Sequence, residues 1–195
     1  MLKRLLIAAL CGLLTAAAPP LEFTPIRPDF APSAAVYRER WHEEGARIAA
    51  ALERLAGIAF PDQPIEVLIR DGAPMTSLDG HTIRLRGGYP INVWRATMTH
   101  ELGHRLAIML GRRAGIDDHR ALYLFYYDAM IELYGQEFAD HVVSFERRIP
   151  GPYDYDAAWS WALAMTRTER QALLATLRPR LGWQDVAGAG ANEER

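Results

Sequence analysis

His100-Glu101-Leu102-Gly103-His104 sets two imidazoles four residues apart, with a carboxylate next to the first. On a helix that spacing brings both rings onto one face, one turn apart, where two nitrogens can hold one metal ion. Glu101 then projects beside the ion, within reach of a water in an open coordination position, which is the placement a general base needs in a metal hydrolase. The surroundings agree with a helix. Val93, Trp94, Met98, Leu102, Leu106, Ile108, Met109 and Leu110 recur close to the helical period. Asn92, after Pro90, is placed to cap its start and Gly111 to stop it. Gly103 costs about 1 kcal/mol against alanine inside a helix, so it predicts a spot where another backbone or a ligand comes close.

The longer stretch Thr97-Met98-Thr99-His100-Glu101-Leu102-Gly103-His104-Arg105-Leu106 resembles the active-site helix of the zincin metallopeptidases. Arg105 departs from the pattern, since that position is usually uncharged. The resemblance implies a zinc-dependent peptidase with an α+β fold: a small zincin-like core with a short mixed or antiparallel sheet, the HExxH helix, a third-ligand helix and flanking helices. A catalytic zinc takes three protein ligands and leaves one position open. The metzincin branch would need Gly at 107 and His at 110, where Ala107 and Leu110 stand. The gluzincin arrangement takes a Glu from a later helix, with an acidic residue one turn on to brace the first His. In Tyr134-Gly135-Gln136-Glu137-Phe138-Ala139-Asp140-His141 this points to Glu137 as the third ligand and Asp140 as the outer partner. Asp140 or His141 remains open as the ligand itself, and Glu132 is an outside candidate. Gluzincin relatives often add a Tyr or His beyond the third ligand to stabilise the oxyanion, a role open to Tyr153, Tyr155 and His141. The cofactor expected is one catalytic zinc ion, favoured by ligand type.

Such enzymes usually bind substrate as an extended strand at a sheet edge just before the metal helix. Ile65-Glu-Val-Leu-Ile-Arg70 is rich in β-branched residues, and His81-Thr-Ile-Arg-Leu-Arg86 alternates apolar with polar, so both predict strands. The second is placed to be the rim that pairs with a peptide; an ordinary hairpin packed on a helix fits the same letters.

Met1-Leu-Lys-Arg, the apolar run Leu5 to Leu14 and Thr15-Ala-Ala-Ala-Pro19 predict a signal peptide over 1–18 and a secreted or periplasmic protein. Any membrane contact would come through that segment alone. Cys11 lies within it, so thiol chemistry and disulfides are not expected afterwards. Residues 19–32 read as a proline-rich arm, 33–186 as a single metallopeptidase domain and 187–195 as a disordered tail. Within that domain Ser33 is placed to cap a helix to about Ala56, and Tyr155 to Leu177 reads as a closing helix. The charge balance, 22 basic against 24 acidic residues, offers no basic field for nucleic acid, so the expected partner is a peptide or protein substrate. The competing expectation is a non-catalytic zincin-like zinc-binding protein of the cell envelope. Glu101 argues against it, because a purely structural site gains nothing from a carboxylate that binds no metal.

Overall fold

Residues 18–111 and 116–178 are described by a computed structural model. The leader over 1–17 with Cys11, the pair Arg112-Arg113 and the tail over 187–195 lie outside the described residues. The elements run β1 (Leu21–Pro25), α1 (Ala31–Ala56), β2 (Ile65–Arg70), β3 (Met75–Thr76), β4 (Thr82–Arg86), α2 (Ile91–Gly111), α3 (Asp118–Tyr134), α4 (Gln136–Glu146), α5 (Tyr155–Leu163) and α6 (Arg167–Leu177), with a short 3-10 turn at Pro28–Phe30. Among the described residues this is an α+β fold of six helices and a mixed four-stranded sheet in the order β1-β2-β4-β3.

The alternation that predicts the strands also fixes their faces. Ile65, Val67 and Ile69 of β2 and Ile83 and Leu85 of β4 are buried, whereas Glu66, Arg70 and Arg86 face out. The two strands do not form a hairpin. They run parallel, Val67 opposite Ile83, and the chain between them adds β3 antiparallel to the far side of β4. β4 therefore has a strand on each side, and the rim of the sheet is β3 instead. The proline-rich arm is extended as its composition suggests, but it enters the sheet: β1 pairs parallel with β2, Phe23 opposite Val67.

The first helix starts at Ala31, two residues before Ser33, because the turn at Pro28–Phe30 leads directly into it. Trp41, Ile48, Leu52 and Leu55 face the core as expected. Glu44 is buried and held by Arg95 of α2 at 2.7 Å. The long apolar stretch after Asp117 is two helices, divided at Gly135, whose φ of +92° side chains rarely adopt. The closing helix is likewise divided, with Thr166 and Glu169 forming a reciprocal capping box at the start of α6. Asp128 of α3 and Arg170 of α6, both buried, meet at 2.8 Å and tie the last helix to the middle of the bundle.

α2 is enclosed through its middle: Glu101 to Ala107 are all buried. A Cβ on Gly103 would stand 2.4 Å from Leu122 Cδ1 of α3, which is itself fully buried. The glycine thus sets how closely α3 approaches the motif helix. Gly103→Ala gains about 1 kcal/mol of helix propensity but meets overpacking of about 1–3 kcal/mol. The expected outcome is a lower midpoint of denaturant unfolding together with weaker metal binding; an alanine variant more stable than the parent would contradict this packing.

Candidate metal centre

α2 carries His100 and His104 one turn apart, and a third imidazole comes from the first turn of α3. His100, His104 and His119 each offer a ring nitrogen, and these atoms lie within 4.8 Å of one another. His104 Nε2 and His100 Nε2 face each other at 2.9 Å. Two nitrogens bound to one tetrahedral zinc at about 2.05 Å stand about 3.3 Å apart, so this pair is already near a shared-ion spacing. α3 begins where it does because Asp117 caps it, its side chain accepting from the Arg120 backbone N–H. Leu122, one turn after His119, is the residue seated on Gly103, so the helix contact and the histidine triad share one geometry.

The outer nitrogen of His100 is fixed by a buried carboxylate. His100 Nδ1 donates to Glu146 Oε1 at 3.0 Å, while Tyr123 Oη and Trp159 Nε1 donate to Oε2 at 2.9 and 3.0 Å. That leaves His100 Nε2 as the lone-pair nitrogen turned to His104. Burial works against the charged form of Glu146, but His100, Tyr123 and Trp159 outweigh it and hold the carboxyl below its usual range. Burial likewise pulls His100 down, and the Glu146 charge more than reverses it, so this imidazole sits above its ordinary value. His104 is driven well below the usual histidine range by burial, then by His100 and His119, and His119 is lowered to about 4 by burial and His100. Both are neutral at pH 7, as metal ligands must be. His104 Nδ1 is buried with no hydrogen-bond partner, the Asp118 carboxylate standing 3.7 Å away.

Glu101 is 4% exposed and lies outside the triad. The Thr76 hydroxyl of β3 is 2.7 Å from Glu101 Oε2 and 2.8 Å from the Glu101 carbonyl, tying the rim of the sheet to the motif helix. Burial pushes Glu101 above the ordinary carboxylate range, with His100 and Thr76 opposing. Arg105 supports the same junction. Its buried guanidinium donates to the Gly80 carbonyl at 2.7 Å, holding the turn that joins β3 to β4. A charge that looks out of place in the motif therefore anchors the strand beside Glu101.

Two aromatic rings border the third histidine. Tyr153 stacks on His119 with centroids 4.3 Å apart, and Tyr155 meets it edge-on at 4.9 Å. The Tyr153 hydroxyl donates to Asp117 at 2.5 Å. The Tyr155 hydroxyl makes no such bond among the described residues; burial raises its pKa, and the Glu146 and Glu101 charges add to that.

The residue expected as third ligand is not in the histidine cluster. Glu137 lies exposed in the first turn of α4, and the third group that joins His100 and His104 is His119. Asp140 is also exposed and accepts from Tyr127 at 2.6 Å and Gln136 at 2.8 Å, so it braces no histidine. His141 is exposed on the same side, and Glu132 pairs with Arg54 of α1. The reason is helical phase. Glu137, Asp140, His141 and Ser144 line the solvated stripe of α4, while Ala139, Val142, Val143 and Glu146 form the buried one. A carboxylate on the apolar stripe was the readable signal for Glu146. For His119 it was an imidazole two residues after the Asp117 cap, in the helix that follows the motif.

No family profile, curated protein or solved structure matches this chain, so the chemistry rests on the residues themselves. Glu146→Gln keeps the shape of the brace and removes its charge. Chelator competition is expected to show metal affinity about 10- to 100-fold weaker, with His104 and His119 untouched; unchanged affinity would mean that Glu146 serves only the packing of the helices.

Proposed function

We propose that this chain is a zinc-dependent hydrolase of peptide bonds, built on a reduced zincin-like core, with His100, His104 and His119 as the metal ligands and Glu101 as the general base. The observation that carries the reading is Glu101. It is a buried carboxylate next to three convergent imidazoles, outside the ligand set, with its basicity raised by burial. A purely structural site has no use for such a group and usually closes its fourth position with protein. His141 and Glu137, the residues that would have closed it, stay at the surface. Zinc is the ion that three imidazoles favour, and when bound it would supply Lewis acidity toward a carbonyl and a water.

The chain's own residues divide the remaining work. Thr76 holds one oxygen of Glu101, which fixes the side chain and leaves the other oxygen for proton transfer. Glu101 takes the proton from the attacking water and returns it to the leaving amine. Tyr155, whose hydroxyl is uncommitted, is placed to donate to the oxygen that gains charge; Tyr153, bound to Asp117, holds His119 instead. A peptide reaches this point along β3, since that rim strand touches Glu101 through Thr76. The apolar leader over 1–17 is consistent with action outside the cytoplasm.

Metal content and cleavage of mixed peptides test the assignment together. One zinc per chain is expected in the parent and in Glu137→Ala, and a deficit in His119→Ala. Glu101→Gln should keep its zinc and lose activity by about 10²- to 10⁴-fold. Zinc retained by His119→Ala would remove the triad, and zinc-loaded parent protein that cleaves no peptide would leave metal binding without hydrolysis.

A further inference from the structure

β3 has two sides, and only one of them faces the histidines. Thr76 is paired with buried Ile83 and turns toward Glu101, so Met75, paired with Arg84, turns to the outer face of the sheet. Met75 is 43% exposed, and Arg84 lies beside it over a shallow depression bounded by the turn from Arg70 to Pro74. Arg84 forms no hydrogen bond or ion pair among the described residues. Glu66, on the same face one residue pair away, forms no ion pair with it among the described residues. Asp71, the acidic group of that turn, is held by Arg27 at 3.0 Å. The outer face is also polarised, with Glu22 and Glu66 opposite each other at one end and Arg70, Arg84 and Arg86 toward the other.

A strand added outside β3 would lie about 10 Å from β4, two strand spacings away. Its side chains alternate, one set toward the metal centre and the other onto the face shared by Met75 and Arg84. A long arginine and a long acidic side chain can meet across the exposed methionine. We propose that Arg84 determines specificity by receiving an acidic side chain, glutamate above all, from a peptide laid along β3. This rests on the reading of the site as a peptide hydrolase, and it names the substrates as acidic peptides.

The test uses labelled hexapeptide mixtures, random except for one position fixed as Glu, Gln or Lys. Binding is measured on the zinc-loaded full chain carrying Glu101→Gln, and cleavage on the parent. At one fixed position the Glu mixture should bind and turn over about 5-fold better than the Gln mixture, and the Lys mixture should be worst. Arg84→Met should level the three and Arg84→Glu should favour Lys, both with an unchanged unfolding midpoint because Arg84 forms no hydrogen bond or ion pair with any described residue. No position that favours Glu, or a preference that survives in Arg84→Met, overturns the inference. Cleavage without charge preference sinks Arg84 and leaves the hydrolase. Charge-selective binding without cleavage by the parent does the reverse, and mixtures that neither bind nor are cut sink both.

Discussion

The Glu146 carboxylate is the constraint around which the helices are arranged. An ionised carboxylate taken out of water costs several kcal/mol unless donors replace its hydration. Here the donors come from three different helices: His100 of α2, Tyr123 of α3 and Trp159 of α5. Tyr123 and Trp159 also stack on each other at 3.7 Å and 14°, so the rings that donate are the rings that keep water away. Loss of any one donor leaves the charge short, and the helices carrying the other two have no substitute partner. The histidine cluster inherits its geometry from this arrangement, because the same carboxylate orients His100 directly.

Two buried acids thus flank His100 and are driven in opposite directions. Glu146 has three donors and is held ionised; Glu101 has a single hydroxyl partner and sits above the ordinary range. The difference fits the work proposed for each, one a permanent charge behind His100, the other a proton acceptor beside it. The supports of Glu101 are local: Thr76 from the rim strand, with Arg105 bracing the turn behind it.

Much of this was legible in the sequence. The motif helix, both main strands and their buried faces follow from periodicity, and Gly103 follows from the cost of a glycine in a helix, although what approaches it is the side chain of Leu122. The third ligand did not follow. Spacing borrowed from a resemblance placed it on α4, where the acidic residues lie on the wet stripe, while the group that matters there interrupts the apolar stripe. The Asp117 cap marks His119 as a first-turn imidazole, but its meeting with His100 and His104 depends on how α3 packs back on α2, which no local pattern encodes. The parallel pairing of β2 with β4 was hidden for a related reason, since a two-residue strand carries too little pattern to announce itself.

The two outer edges of the sheet are finished differently. β1 is bounded by Pro20 and Pro25, and its Phe23 carbonyl already accepts from Arg38, so that border resists a further chain. β3 has no strand beyond it among the described residues, but it is only two residues long. A border so short gives a visiting backbone few amide contacts and offers copies of the protein little to zip together. Recognition on that side must come from side chains, and the fold gains protection against edge-to-edge self-association at the one margin it leaves open.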